Sequence, residues 1–202
     1  MNYIDEIYNF IEKNNFAILI TTNNGKINAT HIPVLLEKNE NSYGHLLCHI
    51  AKANPQWKDV DKDVLVIFPG PHHYISSSWY ESNQSVPTWN YLSVHAYGEI
   101  EIINDQEAKV KIIKDLVKYF ETEDSSYKVS DLKQSYFEGL LNGIVAFRIK
   151  ITKLEGKQKL SQNHPEERQA RVVNELEKFE DDFDAKIICR LMKENLKKKI
   201  DS

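Results

Sequence analysis

Three short stretches carry the residue types that could do chemistry. The longest, FPGPHHYISSSWYESNQSVPTWNY at residues 68–91, holds six large aromatics, three prolines and two adjacent histidines. Trp79, Tyr80, Trp89 and Tyr91 offer flat apolar faces, while Thr88 and Asn90 offer hydrogen-bonding edges. That mixture suits a planar heteroaromatic ligand, which wants stacking on its face and partners at its rim. The alternative is an aromatic mini-core beneath a long loop. Pro69, Pro71 and Pro87 each lack a backbone donor and fix φ, so the stretch reads as a loop-rich excursion, not a helix interior or a central strand. His72 and His73, adjacent on an extended chain, point to opposite faces and cannot easily chelate one metal together. Ser76, Ser77 and Ser78 lie in no GxSxG elbow, and nothing marks one as a nucleophile.

The second stretch is HIAKANPQW, residues 49–57. A strand ends at Ala51 and Lys52 opens a helical turn, where backbone N–H groups and an ammonium can meet a phosphate. His49 and Lys52, three apart, could reach one anion, with Asn54 capping the turn and Trp57 covering it. The competing reading is a surface lysine beside a core histidine and tryptophan. The third stretch, EGKQKLSQN at 155–163, gathers Lys157, Lys159, Ser161, Gln162 and Asn163 at a strand exit. It is either a solvated turn or a source of donors to a ligand's carbonyl or phosphate oxygens. The seven histidines, at 31, 45, 49, 72, 73, 95 and 164, show no metal-binding spacing. Haem stays open as an alternative, since any of them could serve as an axial ligand.

These residues must be positioned by regular elements. Ile4, Ile7, Tyr8 and Ile11 fall at helical spacing, and FAILITT, INATHIPVLLE and HLLCHIA read as three strands joined by the turns NNGK and KNENSYG. DVLVIF (63–68) reads as a buried strand, residues 88–103 as a strand bent at Gly98, and 144–156 as a closing strand. Helices are expected over 105–121, with Asp105 as N-cap, over 130–143, and over 165–199. Too few residues separate the first three strands for crossover helices. A mostly β, α+β chain follows: an antiparallel six-stranded barrel with covering helices and a C-terminal helical segment. The expected division is a barrel domain at 1–162 and a helical extension at 163–202.

The 202 residues, 41% hydrophobic, are enough for a sizeable core, and no apolar run approaches the ~18 residues that a membrane span needs. The opening MNYIDEIYNFIEKNN mixes acids with isoleucines and is no signal peptide. Only Cys48 and Cys189 are present, far apart, which fits a reducing cytoplasm better than a disulfide framework. A formal net charge of -4 argues against nucleic-acid binding. Lys197, Lys198 and Lys199 read as cations at a helix C-terminus that complement its dipole.

Taken in order, ATHIPVLL, HLLCHIAKANPQW, VLVIFPGPHHYISSSWY, VPTWNYLSVHAYGEI and LEGKQKLSQN resemble the PaiB-type family of FMN-binding negative transcriptional regulators. The resemblance runs from about residue 1 to 180 and implies a split-barrel flavoprotein, related in fold to pyridoxamine 5'-phosphate oxidases. It implies a homodimer with FMN at the interface between two barrels. It places His31, Ile32 and Pro33 beside the isoalloxazine, mainly through backbone, and His49, Ala51 and Lys52 at the phosphate. Trp79, Thr88, Trp89 and Asn90 would line the ring or the pocket above it, and Lys159 and Gln162 would approach from the closing-strand exit. The chain departs from the family pattern at Ser77, where proline usually follows YIS. The family name asserts repression, yet the sequence has no helix-turn-helix and no basic face, so direct DNA binding is not supported. Besides this reading stand a flavin-dependent oxidoreductase, for which His73 and Tyr74 would be the acid–base candidates, and a haem-binding split barrel.

Overall fold

The structure, a computed structural model, describes residues 3–58, 60–82 and 84–200. Helix α1 (Tyr3–Lys13) buries Ile7, Tyr8 and Ile11 along one face. Strands β1 (Phe16–Asn23) and β2 (Lys26–Asn39) follow, joined by Asn24 and Gly25 at φ 48° and 79°. Two successive residues at positive φ make the two-residue turn whose twist matches that of the flanking strands. The ladder runs from Asn23 opposite Lys26 to Phe16 opposite Pro33. Strand β3 (Ser42–Ala51) pairs with β2 from Asn39↔Ser42 to Val34↔Cys48, with a register shift between Glu37 and Asn39. At Gly44 (φ 77°) a Cβ would strike the Glu37 carbonyl, so only glycine lets the two strands approach.

Strands β4 (Asp63–Ile75), β5 (Thr88–Ile103) and β6 (Ile144–Lys159) complete a closed antiparallel barrel in the order β1-β2-β3-β6-β5-β4. At Gly98 of β5 a Cβ would lie 2.5 Å from the Lys150 carbonyl oxygen of β6, so close approach of the two strands requires glycine there. Between β5 and β6 come α2 (Gln106–Phe120) and α3 (Gln134–Asn142). As expected, Asp105 caps α2, accepting a 2.7 Å hydrogen bond from the Ala108 N–H. Two helices, α4 (Glu166–Leu176) and α5 (Phe183–Ile200), end the chain. Lys197 and Lys198 lie in the last turns of α5, and the Lys199 side chain falls outside the described residues. The chain is therefore an α+β protein with a six-stranded antiparallel split barrel, and no helix among the described residues is long and apolar enough to cross a membrane.

One sequence expectation is corrected here. Residues 69–75 are strand, not loop: β4 runs on through Pro69 and Pro71 to Ile75. Its registered pairing with β1 covers only Leu65, Val66 and Ile67. No β1 carbonyl therefore asks either proline for a donor, and the fixed φ of proline is compatible with extended backbone. Among the described residues, the irregular excursion lies between Ile75 and Thr88 and is opened by a 3₁₀ turn at Ser77–Trp79.

Two compact units divide the chain, one made of residues 1–68 and 95–155, the other of 69–94 and 156–202. In the first, alternate residues of the strands fill the barrel: Leu19, Leu46, Val66, Phe68, Phe147 and Ile149 are buried. On its outside, α2 sets Ile112 and Leu116 against Leu47, Ile103 and Ala146. In the second, α4 and α5 enclose Val172, Leu176, Ile188 and Met192 together with Ile75, Tyr80 and Leu160.

Candidate functional site

Six of the predicted site residues lie in the barrel unit, three in the middle of β2 and three at or just past the end of β3. Ile32 points into the barrel core and is 1% exposed, so only its backbone faces outward. Its neighbour His31 is exposed and stacks on Phe16 of β1, with ring centroids 5.8 Å apart. Pro33 is half-buried opposite Phe16. Because the β2–β3 register begins at Val34, the segment carrying these three residues pairs with β1 and precedes the pairing with β3. His49 stands opposite Ala146 of β6, and Ala51 closes β3 opposite Ile144.

The His49 ring is half-buried and its Nδ1 atom, fully shielded from water, has no hydrogen-bond partner among the described residues. Burial disfavours the charged ring and pushes its pKa below the ordinary imidazole value. A buried polar atom without a partner costs roughly 1–3 kcal/mol, so a ligand group that pairs with it gains that much. Lys52 is exposed and no ion pair or hydrogen bond engages its ammonium among the described residues. Its backbone is held at both ends. The Lys52 N–H donates to the Gly143 carbonyl at 2.8 Å, and its carbonyl accepts from the Trp57 indole N–H at 3.0 Å.

The expected helical turn after Lys52 is a single 3₁₀ turn, Pro55–Trp57, capped by Asn54 as foreseen: its Oδ1 accepts from the Gln56 N–H at 2.9 Å. Most amides there are already committed, with Asn54 N–H donating to Ala51 at 2.9 Å and Lys58 N–H to Pro55 at 3.0 Å. An anion at this junction would rely on side chains rather than on a nest of free amides. Sequence reasoning missed Thr30 and Gln56, which anchor the loop together with Asn54. Thr30 Oγ1 donates to Gln56 Oε1 and accepts from Asn54 Nδ2 at 2.9 Å, and Gln56 Nε2 donates to the Leu19 carbonyl at 3.1 Å. Only the 6% exposure of the polar Gln56 reveals this, and no sequence pattern signals it.

The remaining six predicted residues lie in the second unit. Trp89 is half exposed, with Tyr74 and His72 each 5.8 Å from it by ring centroid. Trp79 is half-buried in a separate group with His73 and Phe179. Thr88 and Lys159 are brought together, the ammonium donating to Thr88 Oγ1. Asn90 is fully buried, its Oδ1 accepting from Ser161 Oγ at 3.0 Å and its Nδ2 donating to Met192 Sδ at 3.3 Å. Gln162 folds back on its own turn: Oε1 accepts from the Leu160 N–H and Nε2 donates to the Gln158 carbonyl, both at 2.6 Å.

The two adjacent histidines do take different neighbours. His72 faces Asp184, which also accepts from the His72 N–H at 3.1 Å, while His73 lies 3.8 Å from Asp182. Near them, Arg168 lies over the Tyr80 ring at 4.8 Å and pairs with Glu81, and that guanidinium holds the Glu81 carboxyl down at about 2. A groove of about 670 Å³ in the barrel unit, lined by Tyr3, Tyr8, Tyr43, Ile151 and Leu154 among others, contains none of the twelve predicted residues. No group of three or more metal-ligating side chains occurs among the described residues.

A family described as "Putative FMN-binding domain" matches residues 1–153. The Bacillus subtilis (strain 168) protein named protease synthase and sporulation protein PAI 2 is 40% identical over 198 residues, covering 97% of this chain and 94% of its own length. Among solved structures, the flavocytochrome Anf3 from Azotobacter vinelandii superposes with a TM-score of 0.60 at 15% identity, over 77% of this chain and 66% of that one. The FAD and heme binding protein from Mycobacterium smegmatis superposes with a TM-score of 0.58 at 15% identity, over 77% of this chain and 70% of that one. At such low identity these two likenesses concern the fold alone.

Proposed function

Because the chain belongs to the FMN-binding domain family, whose cofactor is FMN, we propose that its barrel unit holds the FMN phosphate at the end of β3 and the isoalloxazine along β2. The observation that carries this reading is the pair formed by an unpartnered, shielded His49 Nδ1 and an unengaged Lys52 ammonium on one strand end. A phosphate oxygen would accept from the Lys52 ammonium, and from a protonated His49 Nδ1 once the atoms that shield that nitrogen give way. It also supplies the counter-charge that Lys52 lacks. Ala51 contributes backbone. His31, Ile32 and Pro33 present the segment of β2 that precedes its pairing with β3, where backbone groups can meet the polar rim of the ring.

Bound FMN would supply hydride or one-electron chemistry, while the chain binds, orients and shields it. The functional state is a homodimer in the cytoplasm, consistent with two buried free cysteines. Its second copy packs against the exposed aromatic face of the second unit, Trp89 with Tyr74 and His72. Trp79, Thr88 and Lys159 are the other contacts on that unit. Asn90 and Gln162 shape it from within, because their amides already have partners. The regulatory role implied by the resemblance acts through the flavin-loaded dimer and a protein partner, since a net charge of -4 suits no phosphate backbone.

Titration with FMN, followed by visible absorption after removing the excess, tests the binding. Lys52→Ala should cost about 1.5–3 kcal/mol of FMN affinity, roughly ten- to a hundredfold, while leaving riboflavin affinity unchanged. Unchanged FMN affinity in this variant would move the phosphate elsewhere. Sedimentation of wild type and Trp89→Glu tests the dimer, and a monomeric wild type would refute it.

A further inference from the structure

Thr30, Asn54 and Gln56 form a closed cycle of hydrogen bonds. Asn54 Nδ2 donates to Thr30 Oγ1 at 2.9 Å, Thr30 Oγ1 donates to Gln56 Oε1 at 2.5 Å, and the Gln56 N–H donates to Asn54 Oδ1 at 2.9 Å. The cycle joins the loop after β3 to the middle of β2, twenty-four and twenty-six residues away in sequence. Gln56 Nε2 extends the anchor to the Leu19 carbonyl of β1 at 3.1 Å and to the Asn28 carbonyl of β2 at 3.4 Å. From the other side the Trp57 indole closes the loop on the Lys52 carbonyl, and the Lys52 N–H is bound to Gly143. The Lys52 backbone is thus fixed at both its donor and its acceptor. Only its side-chain torsions remain to be ordered when an anion arrives.

We propose that this three-residue clasp, with Trp57, is a positioning device that sets the preference for a phosphorylated flavin over its unphosphorylated form. It rests on the placement of the FMN phosphate at Lys52 proposed above. A charge delivered from a fixed backbone needs little reorganisation on binding, and affinity follows from the ordering cost avoided. Loosening the loop should therefore weaken contacts to the phosphate and leave contacts to the ring unchanged. Thr30, Asn54, Gln56 and Trp57 themselves need not touch the ligand.

The readout is the ratio of riboflavin to FMN dissociation constants, each measured by quenching of flavin fluorescence on the full-length protein. Thr30→Val keeps the β-branched shape and removes the hydroxyl at the hub of the cycle. It should lower the ratio several-fold with riboflavin affinity unchanged, and Thr30→Ser should restore it. Trp57→Phe, which keeps an aromatic ring and removes only the indole donor to Lys52, should lower the ratio as well and serves if Thr30→Val folds poorly. Equal weakening of both ligands, or a ratio that does not move, would overturn the clasp as a positioning device. Lys52→Ala separates the two levels. If it collapses the ratio while Thr30→Val and Trp57→Phe do not, the phosphate site stands and the clasp falls. If Lys52→Ala leaves the ratio intact, both fall together.

Discussion

Replacing Gly98 by alanine builds a Cβ 2.5 Å from the Lys150 carbonyl oxygen and 2.7 Å from Ile149 Cγ2. Ordinary contact begins near 3.4 Å, so the added methyl overlaps a backbone atom by most of an ångström. A side-chain tip could swing aside, but a carbonyl inside the barrel sheet moves only with its strand. Overpacking of a well-packed interior typically costs about 1–3 kcal/mol, and the backbone obstacle puts this site at the upper end. The same substitution at Gly139 supplies the control. That residue lies inside α3, and an added Cβ there meets nothing within 4 Å. Alanine at an unobstructed helix position should instead stabilise by about 0.5–1 kcal/mol, because glycine loses more chain entropy on folding. Urea unfolding of wild type, Gly98→Ala and Gly139→Ala, followed by circular dichroism, should give midpoints displaced in opposite directions from wild type. A Gly98→Ala midpoint at or above that of wild type would refute the close approach of β5 and β6. A lowered midpoint for Gly139→Ala would refute the exposure of that helix face.

Three further outcomes follow from burial and charge. Arg168 holds the Glu81 carboxyl at about 2, below its ordinary 4.5, so the pair's contribution is complete above pH 4.5 and is lost as pH falls toward 2. Thermal unfolding between pH 6 and pH 3 should show a shallower acid loss in Glu81→Gln than in wild type, and parallel curves would contradict the pairing. Burial lowers the His49 pKa, so the unfolded chain binds its proton more readily, and stability should fall as pH drops below about 6.5. His49→Gln should flatten that part of the apo protein's stability–pH curve. Ile188 is fully buried in the second unit, and Ile188→Ala should cost about 2–5 kcal/mol by urea unfolding; a cost below 1 kcal/mol would mean that α5 is packed less closely than described.

Much of the fold was legible because it depends on local signals. NNGK demanded a two-residue hairpin and formed one at Asn24 and Gly25, and Asp105 capped the helix it preceded. Apolar runs bounded by turn residues marked the six strands, and too few residues between the first three left only antiparallel pairing. The failure at residues 69–75 is equally physical. Proline excludes a strand only where a neighbour asks for its N–H, and which β4 residues have a partner in β1 is a property of the assembled ladder.

The residues that the sequence proposed for the site fall into two kinds in the structure, and hydrogen bonding separates them. Lys52 and Asn90 look alike in sequence, each a polar residue in a motif near a strand end. Among the described residues nothing engages the Lys52 ammonium, while both ends of the Asn90 amide are committed to Met192 and Ser161. A polar group without a partner is available to a ligand; one fully paired and buried holds the fold, and removing it leaves its partners unsatisfied. Asn90 meets Met192 across 102 residues, and Thr30 meets Gln56 across 26. No local pattern encodes such pairings. Motif resemblance therefore selects both kinds of residue together, and the partners that three-dimensional structure supplies decide which of them can face a flavin.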